Sequence, residues 1–136
     1  MQEEHGIYKV AQSIIFKNFD DAILIVKITG INKWHLPGGR LNKNESWETG
    51  LRREVMEEIS ITDFKITGIH SVANWISHAS EPHYQNFFIG EILSGKVVPT
   101  NEVIEVEWVK TLEELEQHEF ILEHVRDVLI GYLKLD

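Results

Sequence analysis

One segment, Ser46 to about Ile59, carries the signals of a helix in a stretch that otherwise reads as short strands, and its position constrains the fold class. Ser46 can cap the helix start through its hydroxyl. Glu48 then falls in the first turn, where negative charge suits the helix dipole. Upstream, Tyr8–Lys17 is rich in β-branched and aromatic residues, and Ala22–Ile28 is an apolar run of strand length. Asn18-Phe19-Asp20-Asp21 between them has turn chemistry, so the two runs predict a hairpin. Thr29–Lys43 reads as a loop punctuated by Pro37-Gly38-Gly39. Downstream, Ile61–Ser77, Tyr84–Leu93 and Val103–Lys110 are strand-like, with His78–His83 as a loop. Thr111-Leu112-Glu113-Glu114 is a capping box. Ile121, Leu122, Val125, Val128, Leu129, Tyr132 and Leu133 recur at helical spacing and predict a last helix. The order strands, helix, strands, helix predicts an α/β fold with a mixed sheet between helices.

At 136 residues, with no internal repeat or low-complexity stretch, the chain is expected to form one domain over residues 1–136. Cysteine is absent, which excludes disulfides and thiolate metal sites. No apolar run approaches the ~20 residues that span a bilayer, and the first residues lack a basic start followed by an apolar stretch. A cytoplasmic location without membrane contact is therefore expected. Twenty-two acidic against 13 basic residues give a net charge of −9, which repels nucleic acid and acidic surfaces. A polyanionic substrate would need cations to mediate the encounter.

Glu54, Glu57 and Glu58 sit at i, i+3 and i+4 and share one helix face. Like charges at such spacings cost an isolated helix roughly 0.2–0.5 kcal/mol per pair. Two readings follow: a solvated acidic face, or ligands for a hard divalent cation. These three residues alone fit the solvated face better.

Their surroundings reverse that preference. Gly39, five residues, Glu45, seven residues, then Arg53-Glu54-Val55-Met56-Glu57-Glu58-Ile59-Ser60-Ile61 closely resembles the Nudix box, G-x5-E-x7-R-E-U-x-E-E-x-G-U with U a bulky aliphatic residue. The preceding Trp34-His35-Leu36-Pro37-Gly38-Gly39 resembles the family's W-x-L-P-G-G lead-in. Glu102, Glu105 and Trp108 resemble its E-x-x-E-x-x-W ending. Ser60 departs from the pattern, where the family has Gly free to take the left-handed conformation that ends a helix. A steric penalty is expected there, with no effect on ligand residues. Gly50, mid-helix, costs about 1 kcal/mol relative to Ala, and close packing against the sheet is the expected reason.

The resemblance implies a Nudix-type α/β/α sandwich and hydrolysis of a diphosphate bond in a nucleoside diphosphate linked to another moiety. It implies Mg²⁺, with Mn²⁺ as a substitute, and water attack at phosphorus. The implied metal ligands are Glu54, Glu57, Glu58 and the Gly39 carbonyl. The implied catalytic set is Glu57, Glu54, Arg53 and Glu102, with Arg53 holding Glu45 or Glu54 in a bidentate pair. Glu102, six residues before Trp108, is preferred to Glu105 as the further carboxylate. Glu54, Glu57 and Glu102 all stay open as the general base. Outside the motif, His70, His78 and His83 read as exposed or core-satisfied, and Trp75, Tyr84, Phe16 and Trp34 as core rather than base-stacking. The implied partner is a small nucleotide-type substrate, without nucleic acid, and a homodimer follows by resemblance. The alternative is a Nudix-fold nucleotide-binding or regulatory module without catalysis, against which stands the retention of all three helix carboxylates and Arg53.

Overall fold

The two N-terminal apolar runs become strands, but they do not pair with each other as a hairpin. In the computed structural model, which describes residues 5–134, they are β1 (Lys9–Phe16) and β2 (Ile23–Ile28), joined across the turn by the isolated bridge between Lys17 and Ile23. The turn is as read: the Asn18 side-chain oxygen accepts from the Asp20 and Ala22 amides, and Asp21 takes a φ of 64°. The two strands then enter different sheets. Pairing preference is non-local, and β1 finds its partners far along the chain. Met1–Glu4, which carry most of the expectation of no secretory leader, lie outside the described residues.

The remaining elements are β3 (Trp34–His35), β4 (Gly38–Arg40), α1 (Trp47–Ile59), β5 (Phe64–Ile76), β6 (Pro82–Ile92), β7 (Val103–Val109), α2 (Leu112–Glu116) and α3 (Glu123–Lys134). A four-stranded mixed sheet runs β4-β1-β6-β5, with β1 parallel to β6. A three-stranded antiparallel sheet runs β3-β2-β7. Two expected loops are partly strand. Thr29–Lys43 contains β3 and β4, and β6 begins at Pro82, inside the expected loop His78–His83. Both differences come from long-range pairing that no local signal carries.

The strands are buried on both faces, which explains why β1 and β2 read as near-continuous apolar runs. Ile14, Phe16, Leu24 and Val26 join Leu51, Val55 and Ile59 of α1 in one core layer. Ile15, Ile23, Ile25 and Phe87 join Leu115, Val125 and Leu129 of the α2–α3 region in the other. Helices therefore flank strands on two sides, in an α/β/α arrangement. Among the described residues no helix is long and apolar enough to cross a membrane.

Helix α1 starts as expected, with the Ser46 hydroxyl accepting from the Thr49 amide. It ends on Ser60 at φ 62°, ψ 29°, the left-handed conformation in which the family has Gly, and the Ser60 amide donates to Met56 O. A left-handed non-Gly residue costs about 1–2 kcal/mol, part of which Gly gives back by loosening the unfolded chain. Ser60→Gly is therefore expected to raise stability by about 0.5–1 kcal/mol, read as a higher denaturant midpoint at unchanged slope. Gly50 has a different reason from the one its sequence suggests. A Cβ there would lie 2.3 Å from Leu41 Cδ2 and 2.8 Å from Glu45 Oε1, so Gly50 makes room for the loop before α1 rather than for the sheet.

Candidate active site

Arg53 organises the acidic face of α1. Its Nε and Nη2 donate to the two oxygens of Glu45 at 2.7 and 3.0 Å, a bidentate pair. Its Nη1 donates to Glu54 Oε1 at 2.8 Å and Glu57 Oε2 at 3.1 Å, and Nη2 also donates to Arg40 O at 3.2 Å. All five guanidinium N–H groups are thus engaged. The sequence left the partner open between Glu45 and Glu54; the structure pairs Arg53 with both, and with Glu57. Arg53's hydrogen bonds, helped by the Asn42 amide, bring the Glu45 carboxyl down to about 2. Glu45 and Glu54 in turn raise Arg53 further above its ordinary value.

Two glycines in β4 set the other wall. Gly38 has a φ of 142°, and a Cβ there would lie 2.0 Å from the Gln12 carbonyl oxygen. At Gly39 a Cβ would meet the Glu54 carboxylate carbon at 2.5 Å. Pro37-Gly38-Gly39 therefore lets β4 lie against β1 and lets Glu54 lie against β4. Gly39 is in this way brought beside Glu54.

Glu102 comes from just before β7, and Thr100 is what brings it in. The Thr100 hydroxyl donates to Glu57 O and, at 3.2 Å, to Glu58 O, and its oxygen accepts from the Glu102 amide at 3.4 Å. The strap is completed by Val98 N donating to Ile59 O. As a result carboxylate oxygens of Glu54, Glu57 and Glu102 lie within 4.8 Å of one another. Glu105 instead pairs across the ladder with its β2 neighbour Lys27, whose Nζ is 3.9 Å away. Three carboxylates at this spacing, two of them held by Arg53, suit a hard divalent metal ion that prefers oxygen ligands.

Glu58 is buried, and its Oε1 accepts from the Gly38 amide at 2.7 Å. Burial pushes its carboxyl up to about 8, against the Gly38 amide and with help from the nearby Glu54, Glu102 and Glu57 charges. Glu54 is raised by burial too, with Arg53 opposing. The consequence for Glu58 has a definite sign. A carboxyl whose folded pKa exceeds its unfolded value destabilises the folded protein increasingly as pH rises from about 4.5 toward about 8. In EDTA, wild type is expected to lose on the order of a few kcal/mol across that window relative to Glu58→Gln. Paired denaturant titrations at the two ends of the window measure it. Parallel curves for the two proteins would show that Glu58 ionises without penalty.

A cavity of about 370 Å³ opens beside Gly38, Gly39 and Glu58. Its walls include Ser13 of β1, His35 of β3, Trp75 of β5, His83 and Gln85 of β6, and Ile121 and Leu122 before α3. A larger cleft of about 600 Å³, lined by Phe16, Trp108 and Tyr132, lies toward the other end of β6, away from the carboxylates. Gln85 Nε2 donates to Ser13 Oγ at 2.8 Å, and Gln85 Oε1 accepts from His124 Nε2 at 3.0 Å. Trp75 is stacked on His83 at 5.0 Å between centroids, with His124 tilted against it at 4.4 Å. Burial holds the His35 imidazole down at about 4.

The residues set aside in the sequence take varied places. His83 is buried at the cavity wall, His70 packs on Tyr132 and contacts Ser71, and His78 lies exposed in the turn before β6. Phe16 and Trp34 are core, Tyr84 is partly exposed, and Trp75 lines the cavity. Sequence reasoning passed over Ser13, His35, Gln85 and His124. Polar residues inside otherwise apolar strands, as in Gln12-Ser13 of β1 and Gln85 of β6, were the available signal.

The model for the NUDIX domain matches residues 7–128 of this chain. A Bacillus subtilis (strain 168) protein named "Putative 8-oxo-dGTP diphosphatase" is 30% identical over 108 residues, covering 76% of this chain and 67% of that one. An RNA pyrophosphohydrolase of Sodalis glossinidius (strain morsitans) is 27% identical over 71 residues, covering 52% of this chain and 41% of the relative. The chain thus spans less than half the length of that relative. Among solved structures, the MutT protein from Methanosarcina mazei Go1 is 26% identical with a TM-score of 0.78 over 96% of both chains. The E. coli dihydroneopterin triphosphate pyrophosphohydrolase, 14% identical, has the same fold with a TM-score of 0.75, covering 96% of this chain and 99% of that one.

Proposed function

The chain belongs to the Nudix family, and from that premise we propose that it hydrolyses a diphosphate bond in a nucleoside diphosphate linked to another group, using Mg²⁺. The observation that carries this reading is the convergence of Glu54, Glu57 and Glu102 oxygens within 4.8 Å, braced by Arg53. Glu54, Glu57 and Glu102 are the side chains that would hold the cation, with the Gly39 carbonyl beside them; Glu58, turned to the Gly38 amide, would join at the buried end. When bound, a hard divalent cation supplies neutralisation of phosphate charge and acidification of a water.

The chain's own residues then have separable tasks. Arg53 is a positioning residue: it fixes the orientation of Glu54 and Glu57 and ties them through Glu45 and Arg40 O to the preceding loop. Glu54, Glu57 and Glu102 are the groups in reach of a water attacking phosphorus, and one of them takes its proton. The Gly38–Gly39 stretch of β4 keeps the backbone close enough for a diphosphate to approach Glu54 without a side chain between. The cavity next to Gly39 receives the group attached to the diphosphate.

The family resemblance and the names of the relatives bring nucleoside triphosphates, nucleotide sugars, dinucleoside polyphosphates and a 5′-triphosphate RNA into the test panel. The test is turnover of that panel with Mg²⁺ and with EDTA. Magnesium-dependent cleavage at a diphosphate bond of one class supports the proposal and names the substrate. A folded protein that binds a nucleotide but turns over no member of the panel would instead be a binding module.

A further inference from the structure

The cavity wall leaves polar groups of both senses: Gln12 Oε1 is a buried acceptor without a partner among the described residues, whereas around His35 and Gln85 it is donors that are left over. His35 carries the clearest case. His35 Nδ1 lies 2.7 Å from Leu36 N and 3.1 Å from Leu36 O; the amide can only donate and is the nearer of the two, which assigns Nδ1 as its acceptor. The neutral ring therefore carries its proton on Nε2, and no partner for Nε2 is present among the described residues. The low pKa of this half-buried imidazole keeps that neutral form throughout the physiological range. Gln85 repeats the pattern. Its Oε1 is taken by His124, and one Nε2 hydrogen goes to Ser13 Oγ, which leaves the second amide hydrogen and the Ser13 hydroxyl hydrogen as donors. Gln85 is 2% exposed and Ser13 1%, so these donors are shielded from bulk water.

A shielded donor is costly to leave unmatched, and an occupant that presents another donor is rejected more strongly than one that presents an acceptor. A volume of about 370 Å³ sits at the lower end of the ~300–1,000 Å³ typical of small-molecule clefts, room for one heterocyclic group. Glu58 is the one acidic group lining the cavity among the described residues, and its Oε1 is occupied with the Gly38 amide.

We propose that His35 is a specificity-determining residue whose Nε2–H reads a ring carbonyl on a heterocyclic base seated in this cavity. Substrates with a keto group at that position are therefore preferred to those with an amino group. This rests on the diphosphate-hydrolase reading for the location of the substrate, and deepens it by naming the class of base.

The experiment separates base recognition from hydrolysis. Calorimetric binding of free nucleosides in EDTA compares two keto/amino pairs, inosine with adenosine and uridine with cytidine, for wild type, His35→Leu and His35→Gln. The kcat/KM values of the corresponding triphosphates with Mg²⁺ are measured alongside. Wild type is expected to prefer the keto member of at least one pair by about tenfold, the scale of one neutral hydrogen bond. His35→Leu should bring that ratio close to one by weakening the keto member, whereas His35→Gln, whose amide N–H reaches toward the same place, should keep most of it. Circular dichroism establishes that both variants fold. Nucleoside preference without turnover of any triphosphate would leave this inference standing and remove the hydrolase reading. A wild type without keto preference in either pair, or a His35→Leu variant that keeps the wild-type ratio in folded form, overturns it.

Discussion

Glu57→Gln is expected to lower kcat on any diphosphate substrate by about 10³-fold while leaving the protein folded. Glu57 donates nothing to the core. Its carboxylate is partly exposed and is held by Arg53 Nη1 in the group it forms with Glu54 and Glu102. The amide keeps an oxygen for Arg53 to bind but removes one negative charge, and a divalent ion is worth several kcal/mol of charge stabilisation only where such charge holds it. In EDTA the variant should be as stable as wild type or slightly more so, because one like charge has gone from an acidic face. A second readout makes the role specific. Saturating Mg²⁺ is expected to raise the wild-type melting temperature, since an ion that binds only the folded state stabilises it, and to raise that of Glu57→Gln much less. A variant that retains both the magnesium shift and the rate would remove Glu57 from the metal-binding group.

The second large effect divides two adjacent glycines. Gly38→Ala is expected to cost about 3 kcal/mol or more in stability, because its Cβ would fall 2.0 Å from Gln12 O and 2.8 Å from Ser13 Cα, both backbone atoms of β1, at a φ that L-residues rarely adopt. Relief there means separating β4 from β1. Gly39→Ala is expected to leave stability nearly unchanged and to lower activity by about 10²-fold, the scale of a 1 Å misplacement of a reacting group. Its Cβ would meet the end of the Glu54 side chain, at 2.5 to 2.9 Å from the three carboxylate atoms, and a side-chain end can swing away. Glu54 would then leave Arg53 Nη1 and the neighbouring carboxylates. Denaturant midpoints and kcat for the two variants, measured together, should show opposite patterns. Equal stability loss in both would place Gly39 among the backbone-packing glycines with Gly38.

What could be read from the sequence follows the range of the interactions involved. The helix at Trp47–Ile59, its Ser46 cap and the shared face of Glu54, Glu57 and Glu58 depend on residues within a few positions of one another, and these were legible. The Thr111 cap of α2 was legible for the same reason, with the Thr111 hydroxyl accepting from the Glu114 amide. The motif spacing from Gly39 to Arg53 left Glu45 and Glu54 open as partners of Arg53, and Arg53 contacts both. The supposed hairpin failed because β1 has β4 and β6 as better partners, 25 to 74 residues further along, as Ser13 pairs with Gly38 and Lys9 with His83. Glu102 could be preferred to Glu105 only from its distance to Trp108. What brings it to Glu54 and Glu57 is Thr100, whose contacts with the end of α1 no local pattern announces. The polar cavity wall was the least legible part. Ser13, His35, Gln85 and His124 come from four different elements, and each looks unremarkable in its own segment.

The central claim is that water attacks a phosphorus atom of a diphosphate bond at the carboxylate group on α1. The most direct measurement is turnover in H₂¹⁸O with Mg²⁺ on the best substrate of the nucleotide panel, followed by mass spectrometry of both products. One ¹⁸O atom is expected in a phosphoryl group of one product, with no reaction when EDTA replaces Mg²⁺. Products formed without label in either phosphoryl group, or equal turnover in EDTA, would contradict it.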